Sequence, residues 1–583
     1  MVDAADQPRG QQRPYRSKKK KPCDACRRRR VGCLIEEGQN TCSLCRHRGL
    51  ACTFLSGPPK KKSRRTTSPR SRSHAQGGEP SSAASASTPG QGQILTTAVP
   101  GQTTVVPGQT FLYAGPSGDQ GVYLLRHLPF DANCVFGTSN WTIWRASAGS
   151  SGSAYFTIYP NVLLDAEGDA FDIRQIPTAA RTHHQELLDL YYRYVHPTLP
   201  ILECRQELEG AIAARTVPAS LLAAVYSMAV FFWSYSGALR GEPKINREAL
   251  LSFTYKSVMF ETRNPNLRTV QTLLLYLQMP PKLVREPNHP GSWVVTAQVV
   301  AVAQEAGLHI DPERLEISPR ECKLRRILWW AVYLQDKWFA SWLGRPSHIS
   351  NDQFTVKSLS IMDFTNDWGN VDSAAAPSIQ QFISLCHLTP VLADVLDMFY
   401  SPKARLEATQ QHLALLLASE AASKLQEWQS QHMFTARPQS EDPNAYALIF
   451  AYYAIEALIH GALFVCTGSV TSGGVADESQ LFEKLLDVLE LMLTRNPTGF
   501  WLSYCKGNLG IIGSFMLTVF LSSVDEHTLH IRQTVLQRYQ RLLEELCVRF
   551  EFAALPSVRL NLFFKRLFPE YMDENLEERP SLE

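Results

Sequence analysis

Six cysteines near the start of the chain are the residues whose type and spacing could do chemistry: Cys23, Cys26 and Cys33, then Cys42, Cys45 and Cys52. Both trios have the same intervals, two intervening residues and then six, so one ligand-bearing unit is used twice. Thiolates are soft donors, and tetrahedral sulfur sites favour zinc or iron–sulfur chemistry. Two independent four-ligand sites would need eight cysteines, so six can serve two ions only if two of them bridge. Cys23 and Cys42 open the two repeats. The natural assignment therefore gives one zinc to Cys23, Cys26, Cys33 and Cys42 and the other to Cys42, Cys45, Cys52 and Cys23. Two Zn²⁺ ions and six thiolates leave a formal charge of minus two. Arg27, Arg28, Arg29 and Arg30 lie between the second and third cysteines, and Arg46 and Arg48 occupy the related stretch of the second repeat, so both can offset it.

The strings CDACRRRRVGC and CSLCRHRGLAC resemble the fungal binuclear zinc cluster, Zn₂Cys₆, of DNA-binding transcription factors. That resemblance implies two short helices related by an approximate two-fold, the first entering the major groove by its C-terminal end. Carried over by position, Arg29 and Arg30 read base edges. Arg27, Arg28, Arg46 and Arg48, with Lys61 and Lys62 beyond the cluster, hold phosphates, since phosphate contacts position a protein whereas base-edge contacts specify a sequence. Three features depart from the family pattern: Gly32 before the third cysteine, Leu34 after it, and an eight-residue loop from Cys33 to Cys42 that lacks a proline. These leave metal binding untouched and bear on DNA affinity. Three other readings of the cysteines compete with this one. A disulfide-rich secreted module lacks an apolar signal segment and leaves seven cysteines scattered. An iron–sulfur cluster has no use for the arginine sheath. The third is a structural zinc module that never touches DNA.

The elements that must carry this cluster show up first in charge. The 583 residues have a net charge of +3, yet residues 1–72 hold 20 Lys or Arg against 5 Asp or Glu, so only the N-terminal piece suits a polyanion. Two basic runs flank the cluster: Lys18, Lys19, Lys20 and Lys21 before it, and Lys60 to Lys62 with Arg64 and Arg65 after it. They read as nuclear-import signals, phosphate clamps, or both. Cys134, Cys204, Cys322, Cys386, Cys466, Cys505 and Cys547 show no ligand spacing and read as thiols of a reducing compartment. No stretch reads as a membrane span. The apolar run 445–466 contains Glu456, His460 and Gly461 and fits a buried helix better.

In chain order, the expected layout is a disordered 1–15, a zinc-cluster domain over 16–56 and a basic, then Ser/Pro/Gly-rich linker over 57–108. The linker carries no sustained heptad, so coiled-coil dimerisation is unsupported. Aromatic and β-branched runs at 111–113, 122–125 and 154–159 suggest an extended or partly strand-like arm over 109–180, too sparse for a defined sheet. Helical periodicity governs 181–556, and an acidic tail fills 557–583.

Within the helical region, His183 to His196 should form a helix that stops at Pro197. Its three histidines lack metal-site framing. An apolar-faced helix should end at Gly307 in a positive-φ cap. Ser318, Pro319 and Glu321 read as a capping box ahead of Leu324, Ile327, Leu328, Ala331, Trp338 and Trp342. Further helices are expected near 377–398, 404–428, 443–467, 476–494, 500–522 and 526–550; the last has a face of Ile531, Val535, Tyr539, Leu542 and Leu546 that suits either the core or a dimer. Three stretches resemble the fungal transcription-factor regulatory domain: His196-Pro197-Thr198-Leu199-Pro200, Gly307-Leu308-His309-Ile310-Asp311, and Arg325-Arg326-Ile327-Leu328-Trp329-Trp330 with Gly344-Arg345-Pro346.

The fold class expected is thus a small Zn₂Cys₆ cluster plus a large all-α regulatory domain joined by a disordered linker. The resemblance implies a nuclear, sequence-specific factor for RNA polymerase II that carries two zinc ions. It would bind double-stranded DNA at CGG-containing sites and meet other transcription factors or coregulators, as a possible homodimer or heterodimer. The context Pro22-Cys23-Asp24-Ala25-Cys26, with Thr53-Phe54 after Cys52, is similar to the nitrogen-regulatory subgroup that includes TamA and Dal81. The rival reading is a DNA-independent coactivator working through the helical domain. No phosphate loop, HExxH or nucleophile elbow suggests an enzyme.

Overall fold

The computed structural model describes residues 23–24, 41–42, 45–46 and 51–53 of an N-terminal unit. Of a second unit it describes 104, 106, 108–117, 120, 122–137, 142–146, 154–161, 171–279, 291–365, 375–407, 411–432, 442–467 and 478–567. The two compact units are Met1–Gln91 and Gly92–Glu583. The expected linker lies largely outside the described residues, as do both basic runs.

The second unit opens with the sparse aromatic runs, and they do form a sheet. Strands β1 (Gln109–Ala114), β2 (Val135–Gly137), β3 (Thr142–Arg145) and β4 (Tyr155–Pro160) pair in the order β1-β4-β3-β2. All pairs are antiparallel, with Phe111 opposite Ile158 and Trp144 opposite Phe156. The run at 122–125, expected to be extended, is a short helix, α1 (Val122–Leu125). Val135, Phe111, Trp144, Phe156 and Ile158 of the sheet cluster with Leu315 and Ile317, so it rests on the connection between two helices of the larger core.

Those helices run in order: α2 (Thr178–Thr182), α3 (His184–Leu190), α4 (Arg205–Ala213), α5 (Ala219–Ala229), α6 (Arg247–Glu261), α7 (Leu267–Gln278), α8 (Ser292–Glu305) and α9 (Pro319–Leu343). After them come α10 (Ala376–Val395), α11 (Pro402–Glu407), α12 (Gln411–His432), α13 (Pro443–Thr467), α14 (Glu478–Arg495), α15 (Cys505–Leu521), α16 (Glu526–Arg549) and α17 (Glu551–Leu567). Helix α3 passes into a π-helical turn, Tyr191–Val195, and stops at His196-Pro197 as expected. Helix α17 runs past position 556, where sequence suggested the helical region ends. Pro556 removes one backbone bond, but burial of Phe552, Ala553, Leu560 and Phe564 holds the helix on its neighbours.

Helix α9 is the axis of the unit, touching α7, α8, α10 and α15. Its start follows the local grammar: Ser318 Oγ accepts the Glu321 N–H at 3.2 Å, and Pro319 occupies the first turn, where no donor is needed. Its end lies at Gly344, φ 61°. The Gly344 N–H donates to Ser341 O and the Arg345 N–H to Ala340 O. Helix α8 closes the same way. Gly307 (φ 71°) and Leu308 donate to the carbonyls of Gln304 and Ala303, a Schellman cap. Ile327, Leu328, Ala331 and Trp338 are buried as the spacing expects; Leu324 and Trp342 are half-buried. Each fully buried aliphatic or aromatic side chain contributes roughly 1.5–3 kcal/mol before cavity terms.

The C-terminal part of the face expected on α16 belongs to the core, while Ile531 at its start is 49% exposed. Tyr539, Leu542 and Leu546 are buried, and Tyr539 Oη donates to Leu509 O at 2.8 Å, so those residues are used within the chain. Two stretches, Ala376–Leu406 and Pro443–Cys466, are long and apolar enough to cross a bilayer. Their apolar windows are 61% and 78% buried inside the unit, which fits core helices.

Two carboxylates sit where burial opposes charge: Glu261 and Glu456 are both pushed up to about 7, chiefly by desolvation. Glu261 accepts the Ser220 hydroxyl at 2.6 Å, at the first turn of α5. Because its folded-state pKa lies above the unfolded value near 4.5, the folded state holds the proton more tightly. Its contribution to stability is therefore greatest below pH 4.5 and is lost as the pH rises to about 7. Glu261→Gln should reduce the loss of unfolding free energy between pH 5 and pH 8 by about 1–2 kcal/mol, the side chain being partly exposed. Urea titrations of both proteins at the two pH values measure this; parallel losses would contradict it.

Candidate metal centre

Each cysteine repeat begins with a C-x₂-C step, and on a helical turn residues three apart point the same way. The second repeat shows that turn: the Arg46 N–H donates to Cys42 O at 3.0 Å, and the Cys45 N–H approaches Cys42 Sγ at 3.4 Å. Cys52 returns to the same spot, its Sγ accepting the Cys42 N–H at 3.3 Å. The first repeat is tied in by Asp24, whose N–H donates to Thr53 O at 2.7 Å and whose carboxylate accepts the Thr53 hydroxyl at 2.9 Å.

This brings four thiols together. The sulfurs of Cys23, Cys42, Cys45 and Cys52 all lie within 4.8 Å of one another. Cys23 Sγ is 3.8 Å from Cys42 Sγ and 3.7 Å from Cys45 Sγ. Four ligands about 2.3 Å from a central ion sit about 3.8 Å apart at tetrahedral corners, so the spacing fits a metal–thiolate site. Burial, with the thiols of Cys42 and Cys23 beside it, pushes the Cys45 thiol up to about 12. A dication bound among the sulfurs would act the other way, favouring the thiolate.

The four are the same set that the bridged assignment gave to one ion. Cys26 and Cys33 lie outside the described residues, together with Arg27 to Arg30, Arg48, Lys18 to Lys21, Lys60 to Lys62, Arg64 and Arg65. Arg46 is exposed. Among the described residues this is the one group of three or more potential ligands gathered for a metal ion. The histidines of α3 and its flanks are engaged otherwise. His184 Nδ1 lies 2.6 Å from Tyr226 Oη, and His196 Nε2 lies 3.1 Å from Leu202 O.

In the helical unit the signature residues are a scaffold. Arg325 is 2% exposed, and three different partners take its donors: Glu321 Oε1 at 2.8 Å, Ala306 O at 3.0 Å and Thr104 Oγ1 at 2.7 Å. Arg326 pairs with Asp363, while Asp311 caps the next turn and accepts the Lys357 N–H at 2.8 Å. Buried Asp336 accepts the backbone N–H groups of His348 and Ile349 and faces His348 Nδ1 at 2.9 Å, folding the Gly-Arg-Pro loop back onto α9. Arg345 lies over the Trp293 ring at 5.9 Å, a packing role. Around the His-Pro motif, Arg268 grips Glu203 with two bonds of 2.6 Å, and Gln271 Nε2 donates to Ile201 O at 2.7 Å. Sequence reasoning missed Thr104, Asp336 and Asp363. Only the Glu321-to-Arg325 spacing of four gave a local clue.

The helical unit built on these signatures has counterparts among known transcription regulators. Residues 188–430 match the fungal specific transcription factor domain. The match lies within the helical unit and covers about two fifths of the chain. Over 446 residues it is 25% identical to an uncharacterized transcriptional regulatory protein of Schizosaccharomyces pombe, covering 68% of this chain and 66% of that one. Over 461 residues it is 25% identical to the transcriptional activator protein DAL81 of Saccharomyces cerevisiae, covering 70% and 47%. It is also 24% identical over 294 residues to cutinase transcription factor 1 alpha of Fusarium vanettenii, covering 48% and 31%. The chain thus spans just under two thirds of the first relative and about half of the second. No solved structure matches significantly. The matched family and these relatives are transcription regulators, not enzymes.

If a metal holds the four sulfurs, they should be shielded from alkylation. Treating the intact chain with a strong chelator should speed iodoacetamide labelling of Cys23, Cys42, Cys45 and Cys52 at least tenfold, read peptide by peptide by mass spectrometry. Equal labelling before and after treatment of metal-loaded protein would contradict a thiolate–metal site.

Proposed function

We propose that the chain is a nuclear, sequence-specific DNA-binding regulator of RNA polymerase II transcription, with a two-zinc, six-cysteine cluster as its DNA reader. One observation carries the reading. Cys23 of the first repeat stands with Cys42, Cys45 and Cys52 of the second, at tetrahedral spacing. The second repeat supplies three sulfurs and takes its fourth from the first; by the duplication, the first repeat takes its fourth from Cys42. Cys23 and Cys42 then bridge two zinc ions, and Cys26 and Cys33 complete the other site. Zinc suits an all-sulfur tetrahedron with no open position, a structural site whose metal is needed for folding.

The cluster presents DNA-binding chemistry through its arginines. Arg29 and Arg30 would contact base edges, because a guanidinium can donate two bonds to guanine O6 and N7. Arg27, Arg28, Arg46, Arg48, Lys61 and Lys62 would hold phosphates. Lys18 to Lys21, Lys60, Arg64 and Arg65 would serve nuclear import. The resemblance to fungal zinc clusters points to CGG-containing sites, and similarity to DAL81 favours nitrogen-use genes as targets. The helical unit would receive regulatory signals or a second transcription factor, alone or as a homodimer or heterodimer.

A second reading is favoured by Gly32, which withdraws a positive charge beside the contact surface, and by the altered loop from Cys33 to Cys42. It makes the protein a coactivator that acts through its helical unit without reading DNA itself. Quantitative binding to matched and scrambled duplexes at several salt concentrations separates the two. Arg30→Ala should cost about 1–3 kcal/mol on a CGG-containing duplex and far less on a scrambled one. Lys61→Ala should weaken both alike and flatten the salt dependence by about one phosphate contact. Equal losses for Arg30→Ala on both duplexes would refute base reading. Absence of any specific binding by the zinc-loaded wild type would favour the coactivator.

A further inference from the structure

A trough of about 340 Å³ opens on the helical unit along α13 and α15. Its floor has little side-chain bulk: Gly461 of α13 faces Gly510, Ser514 and Thr518 of α15, with Trp342 and Tyr400 at its sides. A Cβ added at Gly510 would meet nothing within 4 Å, so the space above it is open. The rim is apolar and exposed, with Val465 79% exposed. Its charge is of one sign. Arg559 of α17 lines it and no carboxylate does among the described residues, while Lys506, over the Trp342 ring at 4.5 Å, also interacts with Glu551. Arg559, Leu562, Phe563 and Arg566 follow at spacings of three, four and seven, so one exposed face of α17 continues the trough. Arg559 and Arg566 make no ion pair among the described residues.

The chain leaves α17 at Leu567, beside this cationic, apolar surface, and the next sixteen residues lie outside the described ones. Their sequence is its complement. Residues 568–583 hold six carboxylates and one arginine, a net charge of minus five. Phe568, Met572 and Leu576 recur at every fourth position, with Tyr571 adjoining; Glu570, Asp573 and Glu574 fall between them and Glu577 follows. That is the pattern of a segment that lays an apolar helical face into a groove. Arg559 lies eight residues back along the helix, about 12 Å, and sixteen residues span about 24 Å even when helical. Reach is no obstacle.

We propose that residues 568–583 dock in cis into the trough between α13 and α15, with Met572 and Leu576 over Gly510 and Ser514 and the carboxylates against Arg559 and Arg566. A tail held there is unavailable to a second protein, so any outside partner of the acidic segment competes with the trough.

The test uses the full chain with a photo-crosslinking residue at position 576. Irradiation should give adducts within one chain, mapping to 457–465 or 507–518 by mass spectrometry. Gly510→Trp, which fills the trough where a Cβ meets no atom, should cut the yield at least fivefold, and so should Arg559→Glu on the surface of α17. Melting curves of both variants should match the parent; a variant that unfolds leaves the other to decide. Adducts elsewhere on the chain would overturn the proposal. So would adducts joining differently isotope-labelled chains, which would make the occupant a second copy, or yields unchanged in a folded variant.

Discussion

A buried guanidinium must have its donors filled, and Arg325 is the group around which the helical unit is assembled. Its three bonds reach a side chain on its own helix, the carbonyl that ends α8, and the hydroxyl of Thr104, more than two hundred residues earlier in the chain. Its face also looks onto the Phe156 ring at 5.8 Å. Phe156 packs on Gly307, where a Cβ would come within 3.0 Å of the ring, so the left-handed cap of α8 and the position of the sheet depend on each other. A buried ion pair adds little stability relative to a hydrophobic substitute, but removing one partner leaves a charge uncompensated, at a cost of about 3–5 kcal/mol. Arg325 is better understood as choosing one arrangement of sheet, cap and helix than as strengthening it.

The loop after α9 follows the same logic with opposite charge. Asp336 is fully buried and satisfied by two backbone N–H groups and the His348 ring, while buried Lys337 donates to Ser347 Oγ and Ile349 O. Adjacent charges on one helix turn thus hold the Gly-Arg-Pro loop. Burial lowers the Lys337 pKa from its ordinary value. Residues that look like a functional signature in the sequence are here the means by which α9 fixes its own exit.

The N-terminal unit depends on another constraint. Around its sulfurs the described residues offer little apolar surface, and the spacing of the four thiols suits a bound cation. The larger unit needs no such help: its buried cluster runs from Ile176 to Phe564.

Local chemistry was legible in the sequence. Ser318 and Pro319 start α9, Gly307 and Gly344 end helices, His196-Pro197 stops another, and the apolar stretch 443–467 is a helix over those same residues. Each depends on a few neighbouring residues and on backbone preferences that no distant contact has to supply. The gathering of Cys23 with Cys42, Cys45 and Cys52 follows the duplicated spacing, while Cys26 and Cys33 lie outside the described residues. Tertiary structure alone decided the rest. Strand β1 pairs with β4 across more than forty residues, and short β2 and β3 lack the alternation that would announce them. Val122–Leu125 has strand-forming residues but coils into a helical turn, and Pro556 would have ended α17 had burial not held it. Thr104, Asp336 and Asp363 are ordinary polar residues until the fold brings an arginine or a backbone amide to them. Their roles arise from desolvation, which acts only once distant parts of the chain have closed over the site.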